Sequence, residues 1–274
     1  MRESRIRRIV RSGGTAVGMM IMEFGTRGLA KIVEYADVDY VIIDMEHSGF
    51  GIERVADLIA WFKATDIDTI VRVPENLYHY LAGVLDAGAA GVQVANIDSA
   101  DQARQIIQAV KYAPMGNRGL GLTAAHSDFR TPKAAEYLPF RNQQTIVITQ
   151  IETMQGLENC EEIASVEGVD ALAVGANDMT LSLGIHGQFE HPIFIAAMNR
   201  VIAACKLHGR MGKCHPHHPS QIGEFSKMGY QLMMLNSDVS HLRQAVKASV
   251  DNLRRHIGES GSASSQATEP AVRR

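Results

Sequence analysis

Eight short runs of apolar residues recur along the 274-residue chain, and a helical segment follows each of them. The runs cover residues 15–21, 39–44, 69–73, 91–95, 145–151, 170–174, 211–214 and 231–235. Strands that alternate with helices form a parallel sheet, because each helix carries the chain back to the same edge. Eight such strands favour a single closed (β/α)8 TIM barrel, an α/β fold of typically about 250 residues. The seventh run is short, and without it the chain would form an open sheet.

The two ends of the chain depart from this alternation. Residues 2–11 contain five arginines and one glutamate, and Ile6, Ile9 and Val10 form an apolar stripe at helical spacing. We therefore expect an N-terminal helix that lies across one end of the barrel, rather than a transit peptide. Residues 258–274 lack an apolar period and consist largely of small and polar residues, which predicts a disordered tail. The predicted barrel domain spans residues 1–257.

Composition argues against several classes of function. Hydrophobic residues make up 46% of the chain, which is sufficient for a sizeable core. A net charge of −3 and the lack of a basic stripe with aromatic residues argue against nucleic acid as a partner. The longest apolar runs are far shorter than a membrane span, so no membrane association is expected. Three scattered cysteines, Cys160, Cys205 and Cys214, fit reduced thiols in the cytoplasm.

Polar side chains stand at the ends of four of the predicted strands. In chain order they are Glu46, His47, Arg72, Gln150, Glu152 and Asp178. In a parallel barrel the carboxyl ends of the strands meet at one face, which is where such enzymes place their active sites. One glutamate and one aspartate, with room for water and substrate, are typical ligands of Mg²⁺. The pattern therefore predicts a metal site that binds a chelating 2-oxo acid.

Two of these side chains suit the chemistry of a bound 2-oxo acid. His47 is of the residue type best suited to proton transfer near neutral pH. Arg72 carries a planar cationic fork that can stabilise an enolate oxygen. Residues 175–178 (Gly-Ala-Asn-Asp) are typical of a turn into a short helix, whose free N–H groups can bind a carboxylate. Each residue alone has an ordinary structural explanation, but four independent strand ends carry complementary groups.

A second cluster, Lys-Cys-His-Pro-His-His at 213–218, follows the seventh predicted strand. Adjacent strand residues point to opposite faces, and the spacing matches no common Cys or His metal motif. We therefore predict a loop rather than a metal site. Lys213 leaves an alternative open, because a buried lysine in a barrel can form a Schiff base with a 2-oxo acid, as in class I aldolases.

Six segments resemble the HpcH/HpaI family of metal-dependent (class II) pyruvate aldolases. They are Asp-Met-Glu-His at 44–47, Val-Arg-Val-Pro at 71–74, Leu-Asp-Ala-Gly-Ala at 85–89, Tyr-Ala-Pro-Met-Gly-Asn-Arg-Gly at 112–119, Gln-Ile-Glu-Thr at 150–153 and Gly-Ala-Asn-Asp-Met at 175–179. Together they span most of residues 5–255 in the order that the family has. The resemblance implies a (β/α)8 barrel that assembles as a homo-hexamer.

The same resemblance implies a role for each candidate site residue. A divalent ion (Mg²⁺, Mn²⁺ or Co²⁺) would be bound by Glu152 and Asp178, with Gln150 and the backbone at Asn177 against the substrate. It also implies His47 as the catalytic base, and Arg72 as the group that stabilises the pyruvate enolate.

One role that the resemblance implies, that of Asp86, has an alternative. Family members use an aspartate at the place of Asp86 to raise the basicity of the catalytic histidine. In a single barrel Asp86 falls near the end of a helix that points away from the active face, so it would act across a subunit contact. Asp44 is the local alternative as the group that orients His47.

The resemblance predicts the class of reaction but not the aldehyde. Asn177 and the pair Met179-Thr180 differ from the small residue and the Leu-Ser pair of the family, and residues 124–142 form a longer, unlike segment. We expect reversible cleavage of a 4-hydroxy-2-oxo acid to pyruvate, or a close 2-oxo acid, and an aldehyde. The alternatives are a citrate-lyase-like acyl-CoA lyase, for which no basic pattern for a nucleotide is present, and a non-catalytic 2-oxo acid binding protein.

Overall fold

The centre of the molecule is a closed barrel of eight parallel strands, seen in a computed structural model that describes residues 2–257. The strands are β1 (Ala16–Ile21), β2 (Tyr40–Asp44), β3 (Asp68–Val73), β4 (Gly91–Val94), β5 (Ile146–Ile151), β6 (Ala171–Val174), β7 (Met211–Cys214) and β8 (Leu232–Ser237). The last strand pairs with the first, so the short β7 does not leave the sheet open. The predicted (β/α)8 barrel is confirmed, and each predicted strand overlaps an observed one.

Twelve α-helices lie within the described residues, and those between consecutive strands connect them. They are α1 (Arg5–Arg11), α2 (Leu29–Tyr35), α3 (Ile52–Phe62), α4 (Tyr78–Asp86), α5 (Ala100–Val110), α6 (Ala134–Gln144), α7 (Met154–Glu158), α8 (Cys160–Ser165), α9 (Ala176–Ser182), α10 (Pro192–Leu207), α11 (Pro219–Met228) and α12 (Asp238–His256). The passage at 112–130, predicted to be irregular, contains a single 3₁₀ turn, Ala125–Ser127. Of the described helices, none has both the length and the apolar content needed to cross a membrane.

Both faces of the strands are buried, in two separate cores. Along β2, Tyr40 and Ile42 point into the barrel, whereas Val41 and Ile43 pack against the surrounding helices. A strand covered on both faces is apolar at successive positions instead of alternating. This is why the predicted strands appear in the sequence as continuous apolar runs.

Helix α1 covers the amino-terminal end of the barrel, as predicted. Ile6 is fully buried in the core inside the barrel. Asp68, the first residue of β3, accepts hydrogen bonds from the Ser4 hydroxyl (2.6 Å) and the Ile6 N–H (3.0 Å). Arg7 forms an ion pair of 2.6 Å with Asp170, directly before β6. These contacts leave the carboxyl end of the barrel as the face that is open to ligands.

The last helix, α12, belongs to a second compact unit that begins at Val239. Its apolar side chains recur every three or four residues, and Leu242, Val246 and Leu253 are all more than half exposed. The predicted domain limit at residue 257 stays a prediction, and the predicted tail at 258–274 lies outside the described residues.

Candidate active site

A cavity of about 320 Å³, here called the central cavity, lies at the carboxyl end of the barrel. The polar side chains that line it are His47, Arg72, Gln93, Gln150, Asn177, Asp178, Lys213, His215, His217 and Asn236. A second recess, here called the acidic recess, shares His47 and Asp178 with it and is also lined by Glu46 and Glu152. The structure therefore brings all the predicted site residues except Asp86 to one end of the barrel.

A buried ion pair between Asp44 and Arg72 forms the floor of the site. The two residues are paired in the register of β2 and β3, and both side chains point into the barrel. Nε and Nη2 of Arg72 donate to the two carboxylate oxygens of Asp44 at 2.8 and 2.7 Å. Burial alone would lower the pKa of Arg72, but the hydrogen bonds and charge of Asp44 raise it above its usual value. The fork is therefore charged and held in one orientation.

The Asp44 carboxylate also fixes the turn that follows β2. Its oxygens accept hydrogen bonds from the backbone N–H groups of Glu46 (3.0 Å) and His47 (3.3 Å). The Glu46 carboxylate also contacts the Arg72 guanidinium, and its Oε2 lies 3.0 Å from Nη1 of Arg72. Asp44 therefore orients the backbone that carries His47, rather than its imidazole.

His47 is an exposed member of the predicted site. Its side chain is 58% exposed, and its Nε2 lies 3.9 Å from Oε2 of Glu46. It lines both the central cavity and the acidic recess. An imidazole in this position can exchange protons with solvent and can reach a ligand that lies across the two cavities.

Asp86 lies away from the other candidates. It ends α4, which runs back from the carboxyl end of β3 to the start of β4, so it is at the opposite end of the barrel. Its carboxylate forms an ion pair of 2.6 Å with the buried Arg118, whose guanidinium lies over the Tyr112 ring at 4.8 Å. The Asp86 side chain is 45% exposed. Its predicted role toward His47 stays a prediction that requires a second copy of the chain.

Glu152 is held in place by neighbours on both sides. Its Oε1 accepts a hydrogen bond from the Asn96 N–H, and its Oε2 accepts one from Nε2 of Gln150, each at 2.6 Å. Gln93 in turn donates to the Gln150 carbonyl oxygen. Burial raises the pKa of Glu152, the hydrogen bonds of Gln150 and Asn96 lower it, and the charges of Glu46 and Asp178 raise it further. Burial is thus the main cause of the raised pKa, and the neighbouring carboxylates add to it.

The acidic recess fits a divalent ion. Oε2 of Glu46 is buried and has no hydrogen-bond donor among the described residues, although Arg72 is close. A Cβ at Gly175 would lie 2.2 Å from Oε2 of Glu152, so only glycine leaves space beside that oxygen. Within residues 2–257 no three His, Cys, Asp or Glu side chains lie close enough to bind an ion alone. Two carboxylates and several waters are how Mg²⁺ is usually bound, and Glu152 and Asp178 meet that requirement.

Helix α9 brings Asn177 and Asp178 to the site. It begins at Ala176, directly after β6, so the backbone N–H groups of both residues lie in its first turn. First-turn N–H groups have no partner within their own helix. The predicted turn into a short helix is confirmed, and both residues line the central cavity at the carboxyl end of the barrel.

Gln93 is one site residue that sequence reasoning missed. Its β4 neighbours Gly91, Val92 and Val94 are apolar or small, so the sequence of this strand is typical of any buried strand. The only indication was a single amide in a strand buried on both faces, where a polar group needs a partner.

Residues 213–218 contribute a wall of the central cavity rather than only a loop. Lys213, His215 and His217, here called the β7 wall, alternate along the chain and all line the cavity. The rings of His215 and His217 are 4.6 Å apart, and His217 stacks on Phe189 at 3.7 Å. Burial, followed by the charges of His217 and Lys213, lowers the pKa of His215 to about 3, so it is neutral.

Lys213 is buried without a partner. Its side chain points into the barrel and is 3% exposed, and no hydrogen bond or ion pair reaches its Nζ from the described residues. Burial first, and then the charge of Arg72, lower the pKa of Lys213 to about 8.

Comparison with known proteins identifies the class of protein that this fold and site define. The family model for HpcH/HpaI aldolase/citrate lyase matches residues 19–245. The chain therefore belongs to the HpcH/HpaI aldolase/citrate lyase family, and its match covers every predicted site residue.

Particular relatives are aldolases. The 2-dehydro-3,6-dideoxy-6-sulfogluconate aldolase of Pseudomonas putida is 34% identical over 211 residues, which cover 77% of this chain and 82% of that protein. The hydroxypyruvate/pyruvate aldolase of Roseobacter denitrificans is 32% identical over 173 residues, or 63% and 67% of the two chains. The crystal structure of an HpcH/HpaI aldolase from Desulfitobacterium hafniense has a TM-score of 0.87 at 27% identity, covering 90% and 96%. An aldolase function fits, and these relatives imply a lyase acting on small molecules.

We predict that Lys213→Met stabilises the protein at neutral pH. The lysine pKa falls from 10.5 to about 8 in the folded state, which corresponds to an unfavourable contribution of up to about 3 kcal/mol at neutral pH. Because the unfolded chain then binds more protons than the folded one, the wild-type free energy of unfolding rises with pH between 8 and 10.5.

Urea unfolding of both proteins across that pH interval measures the effect. The advantage of Lys213→Met should shrink steadily as the pH rises. An advantage that is independent of pH would mean that packing, and not an uncompensated charge, distinguishes the two side chains.

Proposed function

We propose that this protein is a metal-dependent (class II) aldolase that reversibly cleaves a 4-hydroxy-2-oxo acid to pyruvate, or a related 2-oxo acid, and an aldehyde. The observation that carries the proposal is that the central cavity, lined by a fixed cation, adjoins the acidic recess, lined by a pair of carboxylates. Arg72 is held on one side by Asp44, and Glu152 and Asp178 lie on the other. The names of the aldolase relatives support the same class of reaction.

Glu152 and Asp178 would bind the divalent ion, Mg²⁺, Mn²⁺ or Co²⁺. Their carboxylates line the acidic recess, where Glu152 is buried and the charge of Asp178 raises its pKa, so that a cation would be favoured. When bound, the ion supplies Lewis-acid polarisation of the 2-oxo group. Gln150 holds one oxygen of Glu152, which leaves the remaining lone pairs of that carboxylate for the ion.

Arg72 stabilises the enolate oxygen that develops as the C3–C4 bond breaks. Its fork is oriented before substrate arrives, because Asp44 holds two of its nitrogens, so no reorganisation is needed when charge appears. The first-turn N–H groups of α9, at Asn177 and Asp178, are placed to bind the carboxylate of the 2-oxo acid.

His47 accepts the proton of the 4-hydroxyl group. The oxygen lone pair then forms the aldehyde carbonyl, and the C3–C4 electron pair passes into the enolate, which takes up a proton at C3 to give the 2-oxo acid. The exposed position of His47 at the mouth of the cavity suits this role, because the aldehyde leaves through that side and the imidazole can return its proton to solvent.

A homo-hexamer remains part of the proposal. Asp86 is at the end of the barrel away from its own His47, and its carboxylate is partly exposed. A neighbouring copy is therefore the partner through which Asp86 would act on a catalytic histidine. The cytoplasmic location stays a prediction, and the three cysteines are free and buried.

Chelation and borohydride trapping test the metal mechanism. We expect EDTA to abolish aldehyde-dependent consumption of pyruvate and a divalent ion to restore it. Borohydride with pyruvate should leave the protein mass unchanged. Activity that survives EDTA, together with a covalent adduct on Lys213, would establish the class I mechanism instead. Tight pyruvate binding without turnover across a panel of aldehydes would indicate a binding protein, and turnover only with an acyl-CoA would indicate the citrate-lyase-like alternative.

We predict that Arg72→Ala lowers kcat by roughly 10²–10³, comparable to the loss of one oxyanion donor. The effect on pyruvate affinity should be smaller, because the enolate charge develops only in the transition state. Arg72→Lys should recover little, since a point charge on a flexible stem does not reproduce the fork that Asp44 holds. Steady-state kinetics of the two variants measures both effects, and an unchanged kcat in Arg72→Ala would leave the residue with a structural role only.

We predict that His47→Ala loses far more aldolase than oxaloacetate decarboxylase activity. Both reactions pass through the pyruvate enolate, but only aldol cleavage requires a base for the 4-hydroxyl proton. Arg72→Ala should lose both activities and serves as the comparison. Equal losses of the two activities in His47→Ala would show that the imidazole serves the shared enolate or the architecture of the site, and would overturn its assignment as the base.

A further inference from the structure

The β7 wall presents polar atoms to the central cavity that the chain itself leaves unmatched. Nζ of Lys213 has no acceptor among the described residues, and the buried Nδ1 of His217 has no hydrogen-bond partner there either. The other cation of the cavity, Arg72, already contacts two carboxylates, Asp44 and Glu46. Lys213 is therefore the charge in this cavity that needs a ligand.

A comparison within the chain shows that this lack of partners is not the usual state of a buried lysine here. Lys111 is also almost fully buried. Its Nζ donates to the carbonyl oxygens of Asn142 at 2.8 Å and Thr145 at 2.6 Å. A buried charge without such contacts costs several kcal/mol, so a purely structural lysine at 213 would be expected to have acceptors as well.

The residues that line the central cavity on the side away from the metal ligands carry no negative charge. The cavity lining from β1 and β8 is neutral there, with Met20, Met22, Met234 and Asn236. Of the site carboxylates, Glu46, Glu152 and Asp178 line the acidic recess, and Asp178 also lines the central cavity. A ligand with two acidic groups therefore matches the charges of the site better than a ligand with one.

The depth of Lys213 indicates which part of the substrate it contacts. It is 3% exposed and points into the barrel, as do Arg72 and Gln150, whereas His47 is at the open mouth where the aldehyde would enter. A group that reaches Lys213 is thus carried by the 2-oxo acid and not by the aldehyde.

We propose that Lys213 determines specificity by binding a second carboxylate on the 2-oxo acid, so that the enzyme takes 2-oxo dicarboxylic acids as well as pyruvate. His215, which is neutral, and His217 add hydrogen-bonding ring nitrogens along the same wall. The proposal rests on the proposed function for the nature of the substrate, but the binding of a 2-oxo dicarboxylate does not require turnover.

Calorimetry in the presence of Mg²⁺ tests the proposal with two non-cleaved 2-oxo acids of equal chain length, 2-oxoglutarate and 2-oxovalerate. The proteins are the wild type, Lys213→Met, which keeps an unbranched stem without charge, and Lys213→Arg, which keeps the charge. Lys227→Met makes the same chemical change at an exposed position of α11 and is the matched control.

The wild type and Lys227→Met should bind 2-oxoglutarate more tightly than 2-oxovalerate. Lys213→Met should reduce this preference by about 10- to 100-fold, the contribution of one charge-assisted hydrogen bond. Lys213→Arg should retain part of it. An equal preference in the wild type and Lys213→Met, or no preference in the wild type, would overturn the proposal.

Steady-state kinetics tests whether the carboxylate that Lys213 contacts belongs to the 2-oxo acid or to the aldehyde. With pyruvate as the other substrate, kcat/KM is compared for succinic semialdehyde and butanal in the same proteins. If Lys213→Met leaves the ratio of kcat/KM for succinic semialdehyde to that for butanal unchanged, Lys213 contacts the 2-oxo acid. If this ratio falls while the calorimetric preference for 2-oxoglutarate stays the same, Lys213 contacts the aldehyde and the proposal is overturned. If no aldol reaction occurs at all, the proposed function fails, and the calorimetric result still decides the role of Lys213.

Discussion

The bidentate ion pair between Asp44 and Arg72 is the interaction on which the rest of the site depends. A buried pair of charges is stable only when its remaining hydrogen-bonding groups are satisfied. Here Asp44 contacts two nitrogens of Arg72 and two backbone N–H groups of the following turn. One fully buried carboxylate thus sets the direction of the cation and the position of Glu46 and His47. The pairing is built into the barrel, because the two residues are register partners on neighbouring strands.

Charge is divided across the carboxyl end of the barrel. Glu152 and Asp178 lie on one side, where repulsion among carboxylates favours a cation. Lys213 lies on another, where a buried ammonium without an acceptor favours an anion. Arg72 is already neutralised by Asp44 and Glu46. A substrate that is anionic and chelates a divalent ion is the kind of ligand that would satisfy both sides.

The fold and most of the site could be predicted from the sequence, because the carboxyl ends of all strands of a closed parallel barrel lie at the same end. Once the eight runs are strands, their ends must meet, and Arg72, Glu152 and Asp178 are brought together without further information. The directions of individual side chains were harder to predict. Gln93 and Lys213 are inward-facing residues of strands only four residues long, where both faces are buried and no alternation marks the inner face. The position of Asp86 was predictable from the return of α4, but its function depends on contacts that one chain does not contain.

The central claim is that Glu152 and Asp178 form a site for a divalent ion beside the fixed Arg72. A titration with Mn²⁺, followed by electron paramagnetic resonance, tests it without any assumption about the aldehyde. The wild type and a control with an exposed glutamate changed, Glu162→Gln, should bind Mn²⁺ at a single site with equal affinity. Glu152→Gln and Asp178→Asn should each weaken that binding by at least about tenfold, since each removes one of only two charged ligands. Unchanged Mn²⁺ affinity in both variants would contradict the account.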